Sequence, residues 1–239
     1  MTKRGEFCDV LHALGDQDVP GFLTAHSGLP GPRGNLELLA AFGDVAPAGL
    51  ILGLVGSDDE YLAACAAAAL GRLATEGTAE RSGQILALLH EHASDARWRV
   101  REGVAMALQR LGDGDPARLR DVVHAWAGDP DPLVQRAAVA GICEPRLLHD
   151  LSTAQCALDA CRVATASLAA RPAPERGRPQ VRVLRQGLGY CWSVAVAGSP
   201  ELGLPEFAAL ESSTDADVGW IVRENRKKAR LARLLDPAR

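Results

Sequence analysis

The sequence predicts an all-α fold of short stacked helices, and three observations carry that expectation. Alanine and leucine dominate, with 41 and 33 copies among 239 residues, whereas isoleucine and phenylalanine occur four times each. That composition favours helix over strand. No segment sustains the apolar–polar alternation of a half-buried strand, while Val100, Val104, Leu108 and Leu111 fall at helical spacing. The chain also repeats itself: Leu62–Leu70 aligns with Val100–Leu108 and then with Val134–Ile142, at steps of 38 and 34 residues. A period in that range belongs to units that bury a face only by stacking.

In chain order, residues 1–35 read as a capping helix followed by a loop, because 26–35 are rich in Gly and Pro. Leu36, Leu39 and Ala40 begin the first periodic stretch of the repeats, which run over 36–148. Ser57 with Glu60 has capping-box spacing ahead of the alanine-rich stretch, and Ile85, Leu86, Leu88 and Leu89 mark the next helix. Asp115-Pro116, Asp131-Pro132 and Ser199-Pro200 place a capping residue before a first-turn proline. Residues 149–239 read as C-terminal repeats interrupted by a loop at 171–180. Within them, Val181–Ala197 is apolar nearly all round and must be sandwiched between neighbours. Ten to twelve helices, in five to six pairs, are expected to share one core as a single domain over 1–239.

The formal net charge is −4 and 47% of residues are hydrophobic. The chain has no apolar run of about 18 residues, and its N-terminus lacks the apolar stretch of a leader, so a cytoplasmic protein with no membrane partner is expected. Cys8, Cys65, Cys143, Cys156, Cys161 and Cys191 contain no CxxC pair, so neither metal nor other cofactor is expected. Nucleophile-elbow, P-loop, zinc-protease and dinucleotide motifs are missing, which removes the ordinary hydrolase, kinase and dehydrogenase readings.

Asp95 stands five residues before Val100, Asp129 five before Val134, and Asp217 five before Val222. An aspartate cap followed by Val-Arg-Glu or Val-Gln-Arg on an alanine-faced helix resembles the HEAT-repeat, armadillo-like family. The resemblance covers 57–148 well and 213–235 less well, because Arg226, Lys227 and Lys228 break the alanine face. It implies a right-handed α-solenoid with a concave groove, and hence a non-catalytic scaffold that binds a protein partner.

Charge is uneven. Residues 161–239 carry a net +5 and residues 1–160 a net −9. Arg223, Arg226, Lys227 and Lys228 lie on what reads as one C-terminal helix, together with Arg230 and Arg233, and such a face suits phosphates as well as it suits a solvated cap. Asn225 falls inside that helix's apolar stripe, where it either donates into a groove or satisfies carbonyls of a neighbouring helix. Arg182, Gln186, Gly189 and Ser193 form the one polar stripe of the Val181–Ala197 helix, lining either a ligand or a packed neighbour. Trp98 and Trp220 follow Asp95 and Asp217 at equivalent places in two copies.

The chain is similar in size and helix content to the HEAT-like alkylpurine DNA glycosylases, which implies a second reading: DNA binding or base-excision repair on a basic C-terminal face. Trp126, Trp192, Arg182, Arg223 and Lys227 are the binding candidates under that resemblance, with Asp129 as the carboxylate that stabilises positive charge on the sugar. The sequence departs from those enzymes in lacking their tryptophan–aspartate pattern and in being acidic overall.

Overall fold

The computed structural model describes residues 2–31 and 33–236, and among them it contains fifteen α-helices and no strand. Contacts divide the chain into two compact units, residues 1–114 and 115–239.

The first unit holds α1 (Lys3–Ala13), α2 (Val19–Ala25), α3 (Leu36–Val45), α4 (Ala48–Leu54), α5 (Glu60–Leu73), α6 (Ala79–His92) and α7 (Trp98–Gly114). Helices α1, α3, α5 and α7 pack side by side in that order, and α2, α4 and α6 lie against α5. The closest pair is α5 against α7, because small residues face each other. A Cβ added at Gly71 would lie 2.2 Å from the carbonyl oxygen of Ala107, and one at Gly103 would lie 2.6 Å from that of Ala64. Every residue from Tyr61 to Gly71 is buried, so the alanine run serves close helix approach.

The second unit holds α8 (Pro116–Ala127), α9 (Pro132–Ile142), a 3₁₀ turn (Pro145–His149), α10 (Leu151–Ala170), α11 (Ala173–Arg176), α12 (Pro179–Gly198), α13 (Pro200–Glu211), α14 (Ala216–Arg226) and α15 (Ala229–Leu235). Its hub is α12, which touches α9, α10, α13, α14 and α15. The stretch expected as a loop at 171–180 contains the short α11 and the start of α12.

Capping confirms much of the local reading and corrects part of it. Asp115 and Asp131 accept from the backbone N–H of Arg118 and Leu133, as expected. The cap of α5 is Asp59, which accepts from Tyr61 and Leu62, while Ser57 instead accepts from the N–H of Asp59 at 3.2 Å. That two-step turn recurs. Asp95 accepts from Arg97 at 2.7 Å, Asp129 from Asp131 at 2.8 Å, and Ser213 from Asp215 at 3.2 Å, with Asp215 then capping α14. The fourth copy therefore aligns Val218, not Val222, with Leu62, one helical turn from the register read in the sequence. Trp98 and Trp220 consequently occupy different places in their repeats. In the second copy Arg97 stands where the others have a capping aspartate, and its guanidinium reaches back to the carbonyl of Ser57 at 2.7 Å.

Among the described residues no helix is long and apolar enough to cross a membrane, and no cluster of His, Cys, Asp and Glu has a metal-holding arrangement.

Candidate functional site

In the first unit, α3, α5 and α7 enclose an open groove of about 560 Å³. Local chemistry sets its shape. Asn35 caps α3 by accepting from Leu38 and donates to the carbonyl of His26. The buried Tyr61 phenol donates to the Asn35 carbonyl at 2.6 Å, tying the 26–35 loop to α5. Gly28 has φ +75°, the left-handed region that glycine enters without a Cβ clash. Pro32 lies outside the described residues.

The groove floor is the small-residue seam of Ala64 and Gly103, and its walls carry Leu36, Leu39, Met106 and Trp98. Leu36 is 61% exposed and Trp98 50% exposed, on the two helices that flank α5. Arg99 stacks its guanidinium 4.7 Å from the Trp98 ring centre and donates to Glu60 at 2.8 Å. Its Nε is buried without a hydrogen-bond partner among the described residues. Glu37, Glu102 and Gln109 complete the polar rim.

The binding and catalytic candidates read from the sequence lie in the second unit, and they separate into buried and exposed sets. Asn225 is fully buried. Its Oδ1 accepts from the N–H of Ser193 at 2.8 Å, and its Nδ2 donates to the carbonyls of Leu188 and Ile221 at 2.9 and 2.8 Å. All three amide bonds go to the backbone of α12 and α14. Ser193, also fully buried, donates its hydroxyl to Tyr190. Trp192 donates Nε1 to the Thr165 hydroxyl at 3.0 Å and meets Phe207 edge-on. Trp126 is buried at the end of α8, and the Asp129 carboxylate shapes the turn before α9. Gly187 faces Arg136 and Gly189 faces Trp220, so the bodies approaching those glycines are helices α9 and α14.

Arg182, Gln186, Arg223, Arg226 and Lys227 are exposed. The basic run is not one helix, because α14 ends at Arg226 and α15 begins at Ala229, with Lys227 and Lys228 between them. Arg226 pairs with Glu211 at 2.7 Å and Lys227 with Glu224 at 2.5 Å. Lys227 holds the Glu224 carboxyl below its usual range, with Lys228 and Arg223 adding to the effect.

Residues 47–143 match the family model for HEAT repeats. This stretch is a HEAT-repeat segment. It runs from α4 to α9, and its alanine-faced helices α5, α7 and α9 are the three copies read in the sequence. No curated protein matches the chain. Solved structures similar to it include an engineered protein at 16% identity, covering 98% of this chain and 99% of that one with a TM-score of 0.38. A designed armadillo repeat protein in complex with the peptide (KR)4 is 14% identical over 96% of this chain and all of that chain, also at 0.38. A computationally designed armadillo repeat protein for modular peptide recognition is 17% identical over 92% and 97%, again at 0.38.

The sequence marks Trp98 only for its place after Asp95 and Leu36 only as the start of a periodic stretch, and does not show that they share a groove. Trp98 and Leu36 each head a helix, and a large apolar side chain on a first turn is an ordinary feature until the partner helix is known.

Proposed function

We propose that the chain is a protein-binding scaffold and that the groove between α3, α5 and α7 receives an apolar side chain of a partner segment. The half-exposed Trp98 on an apolar groove of about 560 Å³ carries this reading. Tryptophan and arginine are the residue types on which interface energy concentrates, and here Arg99 stacks on Trp98. The trough is open and its rim carries both signs of charge, which suits a peptide segment running across it better than a small molecule needing enclosure on most sides.

The test is selection of peptides from a displayed random library, with affinities measured by fluorescence anisotropy. Selected peptides are expected to share a large apolar residue and to bind Trp98→Ala at least tenfold more weakly, about 1.4 kcal/mol. Leu151, 74% exposed in the other unit, is the control: Leu151→Ala leaves binding unchanged. Equal affinity for wild type and Trp98→Ala refutes the reading.

A further inference from the structure

We propose a second binding site, on the C-terminal unit, that takes an acidic peptide segment. It is independent of the Trp98 groove. On α12, Arg182, Gln186 and Tyr190 are exposed at i, i+4 and i+8, so they line one face. Tyr190 is 44% exposed and is flanked by two cations, Lys228 with its ammonium 5.6 Å from the ring centre and Arg230 with its guanidinium at 5.1 Å. Arg230 also donates to the Tyr190 hydroxyl at 2.9 Å.

Several neighbouring cations of this unit are already paired. Arg185 is bridged to Asp217, Arg176 to Asp215 and Arg226 to Glu211, and Lys227 takes Glu224. Arg182, Lys228 and Arg230 have no carboxylate at ion-pair distance among the described residues. Two cations held against one aromatic ring, neither of them in an ion pair among the described residues, form a site for an anionic group.

Next to Arg230 lies a hollow of about 360 Å³, floored by Leu148, Val194 and Ala197 and edged by His149. A carboxylate between Lys228 and Arg230 therefore has an apolar recess beside it, large enough for an aliphatic side chain. From Arg182 to Ala197 the helix rises about 22 Å, at about 1.5 Å per residue, which matches six or seven extended residues at about 3.3 Å each. The apolar recess offers nothing to a phosphodiester. A short segment alternating acidic and aliphatic residues satisfies both features.

The probe is a fluorescent octapeptide of alternating glutamate and leucine, compared by anisotropy with a lysine–leucine octapeptide and a labelled single-stranded oligonucleotide. The glutamate peptide is expected to bind wild type and Trp98→Ala alike and to weaken between about 50 and 150 mM salt. It should lose at least tenfold in the double variant Lys228→Glu, Arg230→Glu. The milder Lys228→Ala, Arg230→Ala pair should lose affinity in the same direction while keeping the wild-type circular dichroism spectrum. An equal loss in Arg162→Glu, an exposed arginine on α10, would reduce the effect to net charge and overturn the site. Tighter binding of the lysine peptide, or displacement of the glutamate peptide by the oligonucleotide at lower concentration, would also overturn the assignment to an acidic peptide.

Discussion

Gly71 offers the sharpest test of the helix packing. Its added Cβ would lie 2.2 Å from the Ala107 carbonyl oxygen, 2.7 Å from the Ala107 Cα and 2.8 Å from the carbonyl carbon. All three are backbone atoms, so no side chain can swing aside. Carbon–oxygen contacts in packed helices settle near 3.3–3.6 Å, and relief requires α5 and α7 to separate by about 1 Å along the seam that contributes most to the first unit. Overpacking of this kind costs about 1–3 kcal/mol, and the shift also loosens the alanine contacts on either side. Alanine recovers about 0.5–1 kcal/mol in helix propensity, leaving Gly71→Ala destabilised by up to about 2.5 kcal/mol. Gly83 supplies the matched control, because it lies inside α6 and nothing is within 4 Å of its added Cβ. Gly83→Ala is expected to stabilise by up to about 1 kcal/mol. Equilibrium urea unfolding followed by far-ultraviolet circular dichroism measures both, with hydrogen exchange of the α5 and α7 amides localising the effect. If Gly71→Ala stabilises the protein as Gly83→Ala does, the close approach is wrong.

Asn225→Ala removes a buried amide that bonds three backbone groups across α12 and α14, and a loss of about 1–3 kcal/mol is expected in the same unfolding assay. Its exposed neighbour Arg223→Ala should change stability by less than about 0.5 kcal/mol, and similar losses at the two positions would contradict the packing role. The Arg97 guanidinium beside Asp95 holds that carboxyl below the usual aspartate range. A depressed folded pKa gives stability that is complete above the unfolded value of about 3.9 and is lost as pH falls through the lower folded value. Wild type should therefore lose stability relative to Asp95→Asn as pH drops below about 4, and parallel acid limbs for the two proteins would rule this out.

Much of the fold was legible because it is written locally. Asp115-Pro116 and Asp131-Pro132 start helices where their spacing says they should, since a cap bonds N–H groups two or three residues away. The repeat of Leu62, Val100 and Val134 was visible because each copy needs small residues on the same helical face. The last copy misled the reading because Asp215 and Asp217 offer equally good local patterns, and only the bonds to Asp217 and Val218 choose between them. The basic run looked like one helix because no Gly or Pro marks the break after Arg226.

The candidate sites were less legible because their members are distant in sequence. Leu36 and Trp98 are 62 residues apart, and each alone is an apolar residue opening a helix. Tyr190 reads as part of an apolar helix until the start of α15 and the turn before it set Arg230 and Lys228 beside it.

The sequence by itself determined the helical class, the alanine seams and the HEAT repeat, because propensity, capping and periodicity act within a few residues. The tertiary structure alone decided which polar groups are buried as partners of one another, as with Ser193 and Asn225, and which cations are left without carboxylates. Those outcomes depend on how closely non-adjacent helices approach, and a one-turn shift of α14 would exchange every one of its pairings.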